Sequence, residues 1–223
     1  MTDEAFEREI LRRLKARCLH APALQPEDAV KFVFQAMPGV GHLLSGRLLI
    51  TLDGPCASGK TTLAGKLARA FRGQVVHTDD YVIPHARKTP ERLAVPGGNC
   101  DAERLAEEVV IPFKSGLPVR YRRYDCRRDV LLPEEELPDT KVLVLEGSYC
   151  NLPALRKHAD LRLFLDTPGE VREARLLARE SAASMQRFRN LWIPLENAYF
   201  EAYRLPDEDC IVIHADPAET GVS

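Results

Sequence analysis

The sequence predicts an α/β fold: a doubly wound, parallel five-stranded sheet with helices on both faces, preceded by an α-helical N-terminal extension. Three observations carry this expectation. Five short apolar runs bounded by turn residues recur along the chain, as buried parallel strands do. Segments with helical apolar spacing lie between them, which is the alternation of βαβ units. A glycine-bounded loop joins the first run to the first helix.

In chain order, Phe6, Ile10, Leu11 and Leu14 stand at helical spacing, and a second apolar-rich segment follows Pro26 and Glu27. Residues 1–46 are therefore expected to form a helical extension packed on the core, and residues 47–223 the main domain. The first strand, Leu48–Asp53, runs into Gly54, and Leu63, Leu67 and Phe71 recur at i, i+4 and i+8 on the helix behind it. Further strands are expected at Gln74–His77, 142–145, 161–165 and 210–213. Helices are expected over 102–113, with Asp101 as a candidate N-cap, then 169–184 and 196–203. The Pro/Gly-rich stretch 89–99 reads as a loop.

Composition narrows the function. The 223 residues hold 31 Lys+Arg against 33 Asp+Glu, a formal net charge of −2, with 45% apolar and 29% charged residues. That is ordinary globular composition, and at this length one core can bury roughly 70% of the unfolded chain's surface. Near-neutrality argues against a surface built to neutralise many phosphates, so nucleic acid is not an expected partner. No apolar run approaches the ~18 residues of a membrane span. The acidic start Met1-Thr-Asp-Glu is unlike a secretory leader, so a cytoplasmic location is expected. The six cysteines lie too far apart for zinc or redox motifs, and the six histidines form no paired ligand arrangement. No protein-bound transition metal is expected.

Gly54-Pro55-Cys56-Ala57-Ser58-Gly59-Lys60-Thr61, followed by Thr62, satisfies G-x-x-x-x-G-K-[ST] between an apolar strand and a helix. Its glycines let the backbone curl so that successive N–H groups face phosphate oxygens, and the helix N-terminus adds its dipole. Lys60 then reaches the terminal phosphates, and Thr61 offers a hydroxyl to Mg²⁺. Such a loop does not separate a GTPase, a motor ATPase and a small-molecule kinase. The guanine motif N-K-x-D is absent and the chain leaves little room for motor domains, so a kinase is expected. The second strand ends in Asp79-Asp80-Tyr81, at the sheet edge where an acceptor hydroxyl must approach. One carboxylate there can take the hydroxyl's proton. A solvated turn is the competing reading of Asp-Asp.

The phosphate loop taken with His77-Thr-Asp-Asp-Tyr81, Asn99-Cys-Asp101, Tyr124-Asp125 and Val142-Leu-Val-Leu-Glu146-Gly resembles the uridine/cytidine kinase branch of P-loop kinases. The resemblance implies a P-loop NTPase fold with a helical lid over about 170–192, and ATP and Mg²⁺ as cofactors. It places the catalytic base at Asp79, ribose contacts at Asp101, magnesium assistance at Glu146, an acceptor contact at Tyr124 and closing arginines at Arg175 and Arg179. Asp80, Tyr81 and Arg127 are expected around the acceptor. Trp192-x-Pro-x-Glu-x-x-Tyr-Phe200 and Gly97-Gly-Asn-Cys-Asp-Ala-Glu-Arg104 are similar to short bacterial members described as uridine-kinase-like. The pattern is departed from at Cys126, where the branch has an aromatic, and at Arg127 and Arg128, where a base-reading histidine has no equivalent.

The implied activity is transfer of the γ-phosphoryl group of MgATP to a hydroxyl of a small molecule, with the 5′-hydroxyl of uridine or cytidine first. Other acceptors stay open: a nucleoside monophosphate, a pantothenate-like alcohol or a sugar. The five arginines of segment 120–128 suit a phosphate-bearing acceptor, and equally a solvated basic loop. Arg172, Arg175 and Arg179 share one helix face, and Glu173 and Glu180 also fit a salt-bridged surface helix. A non-kinase ATP-binding regulatory or RNA-associated module is the alternative of a different class. A homo-oligomer is open.

Overall fold

The computed structural model describes residues 47–215 together with Asp28, Val30 and Lys31; the rest of the expected N-terminal extension lies outside the described residues. In chain order the elements begin with β1 (Leu48–Asp53), α1 (Lys60–Phe71), β2 (Gln74–His77), α2 (Pro90–Ala94) and α3 (residues 102–114). Four two-residue strands follow: β3 (Arg120–Tyr121), β4 (Tyr124–Asp125), β5 (Val130–Leu131) and β6 (Glu135–Glu136). The chain then forms β7 (Val142–Glu146), α4 (Pro153–Arg156), β8 (Leu161–Asp166), α5 (Gly169–Arg179), α6 (residues 182–203) and β9 (Ile211–His214).

The main sheet is parallel in the order β2-β7-β1-β8-β9. From β1 the chain moves to one side for β2 and β7, then crosses to the other for β8 and β9, so the loop after β1 leaves the sheet beside the crossover, where open α/β sheets bind ligands. Strand alternation divides the core. Leu49, Leu143, Leu145 and Phe164 join a cluster with α3, α4 and α6, while Leu48, Ile50, Leu52, Val144, Leu163 and Leu165 meet α1 on the opposite face. Val30 packs against this second cluster. The five strands fall where the apolar runs predict them, because strands buried on both faces must be nearly all apolar. Among the described residues no helix is long and apolar enough to cross a membrane.

The helices depart from expectation in two ways, each with a local cause. The predicted helix over 169–184 ends at Arg179: Glu180 is extended (φ −103°, ψ 147°), and Ser181 caps a new helix by accepting from the Ser184 N–H at 3.3 Å. Conversely, α6 runs through Pro194, where a helix start at 196 is expected. It contains a π-helical turn, Phe188–Trp192, in which Ile193 N–H bonds Phe188 O. Proline lacks the N–H and its ring crowds the carbonyl four residues back. The wider π turn accommodates both. The same device carries α3 through Pro112, with a π turn at Ala106–Val110 and Ile111 N–H on Ala106 O. The ladders β3–β6 and β4–β5 add two small antiparallel pairs too short for a periodic signal.

Candidate active site

The loops at the carboxyl ends of β1, β2 and β7 open into a cleft of about 1640 Å³. Cys56 to Thr62 line one wall, while Gly54 and Pro55 of the same loop lie outside the lining. Gly54 adopts φ 141°, and a Cβ there would stand 2.4 Å from the Leu165 carbonyl oxygen, so only glycine fits. Gly59, at φ 103°, turns the chain into α1, whose first turn carries no acidic residue to offset its N–H groups. Lys60 is buried, and its Nζ donates to the carbonyls of Gly54 (2.7 Å) and Pro55 (2.9 Å). The Ser58 hydroxyl is buried without a partner. A curled loop, an uncompensated helix start, a lysine held by weak carbonyl partners and an orphaned hydroxyl together fit a polyphosphate.

Thr61 Oγ1 donates to Glu146 Oε1 at 3.0 Å, and His77 Nδ1 lies 2.5 Å from the same oxygen. Neither contact uses Glu146 Oε2. The bond to Glu146 holds the His77 imidazole above its ordinary value. Among the described residues no cluster of three or more His, Cys, Asp or Glu could cage a metal. A threonine hydroxyl beside a carboxylate instead suits Mg²⁺, which takes few protein oxygens and shares its other positions between phosphate and water.

Asp79 and Asp80 stand on the 3₁₀ turn Thr78–Tyr81 that ends β2, and both line the cleft. The Asp79 carboxylate opens to the cleft and makes no hydrogen bond to a described residue. Desolvation by the surrounding protein raises its pKa; Lys60 opposes the rise, and Glu146 and Glu196 add to it. Asp80 is raised by the same desolvation, against the opposing charge of His77.

The residues expected around an acceptor divide. Tyr124 and Arg127 line the cleft, with Lys88, Asn99 and Cys126 beside them. The Tyr124 hydroxyl is bonded to Asp129, and burial together with that bond pushes the phenol up to about 12. Tyr81 does not reach the cleft: its ring is fully buried in the core under the Arg104 guanidinium at 4.2 Å. Asp101 is also outside the cleft lining. Its carboxylate accepts from Arg87 Nη1 at 2.8 Å, with Arg104 at 3.7 Å, and makes no capping bond to α3. Two strong cations outcompete the backbone N–H groups that an N-cap would serve. Segment 120–128 is partly neutralised, Arg120 by Glu136, Arg122 by Glu108 and Arg123 by Glu135.

The arginines expected to close a lid are engaged. Arg175 Nη1 donates to the loop carbonyls of Ala57 (3.1 Å) and Ser58 (2.9 Å), and Arg172 Nε to Thr167 O at 3.1 Å. Arg175 thus ties α5 to the phosphate loop and, like Arg179, lines the cleft. Arg179 lines the cleft and pairs with Glu180 at 3.0 Å. The structure also brings in side chains to which the motif reading assigns no role: Ser148, Arg187, Phe188, Trp192 and Glu196 all line the cleft. Trp192 and Glu196 lie in the Trp192-x-Pro-x-Glu-x-x-Tyr-Phe signature, so a signal existed without a mechanism.

Residues 49–187 match the family model of the Phosphoribulokinase / Uridine kinase family. A possible uridine kinase from Bacillus stearothermophilus shares the fold at a TM-score of 0.62 and 23% identity, covering 85% of this chain and 98% of that one. A candidate fructose transport system kinase from Silicibacter sp. TM1040 aligns at a TM-score of 0.63 and 26% identity, over 84% and 98% of the two chains. YFH7 from Saccharomyces cerevisiae, a candidate P-loop kinase with a circular permutation, aligns at 0.58 and 11% identity over 97% and 100%. The first and third likenesses speak to the fold alone. No curated protein matches the sequence.

Proposed function

Because this chain belongs to the phosphoribulokinase/uridine kinase family, and so is a small-molecule kinase, we propose that it uses MgATP to phosphorylate the 5′-hydroxyl of uridine or cytidine. The observation that carries the kinase chemistry is one placement. Asp79, a carboxylate without a hydrogen-bond partner and raised by desolvation, faces the cleft that Lys60, Thr61 and Glu146 also line. Bound MgATP would supply the phosphoryl group, and its metal would neutralise charge on it. Thr61 and Glu146 would hold that metal, and the loop N–H groups with Lys60 would hold the phosphates. Asp79 takes the proton of the attacking hydroxyl. Desolvation raises its pKa above the ordinary aspartate value, which makes its ionised form a stronger base. Phe188 and Trp192 present apolar surface to the same cleft and exclude water, the wasteful acceptor.

The nucleoside reading draws on the family and on the Asn99-Cys-Asp101 segment, whose Asn99 keeps a buried, unpartnered Oδ1 on the cleft wall. Asp101 joins it only by exchanging Arg87 for a substrate hydroxyl. A second reading, an acceptor that already carries phosphate, has its own support. Arg127 and Arg187 line the cleft without an acidic partner among the described residues, and guanidinium forks match phosphate oxygens.

The test is ADP release from MgATP against uridine, cytidine, their monophosphates, pantothenate and hexoses, with products identified by mass. Uridine or cytidine converted to the 5′-monophosphate is the expected result. Turnover confined to phosphorylated acceptors would replace it with the second reading. Absence of both turnover and MgATP binding would overturn the kinase mechanism for this chain.

A further inference from the structure

Glu196 and Tyr199 of the signature Trp192-x-Pro-x-Glu-x-x-Tyr have no part in the chemistry above, yet they are among the most deeply buried residues of the fold. Glu196 and Tyr199 stand three residues apart on α6 and so share a face. Both are buried, at 5% and 0% exposure. Glu196 Oε2 accepts from the Cys56 N–H at 2.8 Å, across 140 residues of chain, and Oε1 is bonded to the Ser148 hydroxyl. The Tyr199 hydroxyl donates to Asp53 Oδ2 at 2.7 Å, and Asp53 Oδ1 accepts from the Gly54 N–H at 2.8 Å. One helix face therefore holds two amides of the loop's first half, one directly and one through a single carboxylate.

Keeping Glu196 here is costly. A buried carboxylate near a polyphosphate site loses hydration and repels the ligand, and Glu196 contributes to the raised pKa of Asp79. What the fold gains is a loop whose backbone is fixed before any ligand arrives, because its Gly54 and Cys56 amides are already bonded to carboxylates. The same helix extends to the cleft. The π turn at Phe188–Trp192 carries it through Pro194 without a break, so Arg187, Phe188 and Trp192 on the cleft wall are continuous with the part that grips the loop.

We propose that α6 is a brace between the phosphate loop and the lid: Glu196 and Tyr199 are positioning residues for nucleotide binding, and loop occupancy is transmitted along α6 to Trp192. The inference rests on the kinase reading, and its test separates the two. Trp192 is the single tryptophan of the chain, so intrinsic fluorescence reports on that end of the brace. MgADP is titrated by calorimetry and by fluorescence into the wild type, Glu196→Gln and Tyr199→Phe. Loss of a hydrogen bond involving a charged group predicts MgADP binding weakened by about tenfold or more in each variant.

At saturating MgADP, where occupancy is equal, the Trp192 response is expected to shrink in both variants. A side chain that merely stabilised the fold would lower the bindable fraction and leave affinity and saturated response unchanged. Should Glu196→Gln fail to fold, Tyr199→Phe carries the test, since it deletes one oxygen and keeps the ring among Tyr149, Phe200 and Tyr203. Wild-type affinity and an undiminished response in the variants would overturn the brace while leaving the kinase reading intact. A wild type that binds no MgADP would overturn both.

Discussion

At the nucleotide end of the cleft, one consecutive stretch, Cys56 to Thr62, lines the wall, and the surrounding fold holds its loop from three directions. Arg175 takes the carbonyls of Ala57 and Ser58, Glu196 the Cys56 amide, and Asp53 the Gly54 amide. At the proposed acceptor end the wall is assembled from separate stretches: Asp79 and Asp80 after β2, Lys88 and Asn99 around α2, Tyr124 to Arg127, and Arg187, Phe188 and Trp192 on α6. There Arg127 and Arg187 have no acidic partner among the described residues, and the Asn99 Oδ1 is orphaned. The first end has its backbone held in place before its ligand comes, as preorganised recognition of a polyphosphate requires, and leaves the Ser58 hydroxyl without a partner. The second leaves charges and polar atoms for a ligand to complete. On the proposed reading, a kinase that always meets the same donor can fix that half rigidly, and the acceptor half, built from separate loops, would carry specificity.

The largest effect should come from the carboxylate between the two ends. Asp79→Asn is expected to lower kcat by about 10² or more while MgATP affinity, measured by calorimetry, stays near wild type. The base works ionised, so activity falls as pH drops through its pKa. Desolvation raises that pKa, so the acid limb of kcat/KM should lie above the ordinary aspartate range, and Asp79→Asn should remove that limb from its residual activity. A limb unchanged in the variant would assign it to another group.

Next, Thr61→Val keeps shape and deletes the hydroxyl that meets Glu146, so the Mg²⁺ concentration for half-maximal rate should rise about tenfold with acceptor KM unaltered. An altered acceptor KM would show that the two ends are less separable than their construction suggests. The smallest effect is expected from Arg127→Ala: a several-fold rise in acceptor KM, MgATP KM unchanged. That rise should be confined to anionic acceptors if Arg127 meets phosphate, and an equal change across neutral and anionic acceptors would remove Arg127 from recognition of charge.

Legibility in the sequence follows the same division. The strand–loop–helix unit is readable because its physics is local: glycines at Gly54 and Gly59, an apolar strand before them and a periodic helix after. Glu146 is readable because four apolar residues deliver it to the sheet edge. The fate of Tyr81 and Asp101 is not, since what covers Tyr81 is the Arg104 guanidinium 23 residues on, and what occupies Asp101 is Arg87 in preference to the neighbouring backbone. Arg175 lies on the expected helix face, yet only the packing of α5 against the loop shows that its guanidinium serves two loop carbonyls. Pro194 signals a helix break by the local rule, and the π turn that answers it is a property of the continuous packed helix.

By itself the sequence determined the parallel α/β sheet, the polyphosphate loop and the two carboxylates at its edge, because burial periodicity, glycine conformation and strand ends are encoded within a few residues. Which charges are already satisfied and which still face the cleft was decided only by the tertiary structure. Pairings such as Glu196 with Cys56 across 140 residues, or Arg175 with Ser58 across 117, depend on which elements pack together, and that is set by the sum of the core's contacts and not by any one segment.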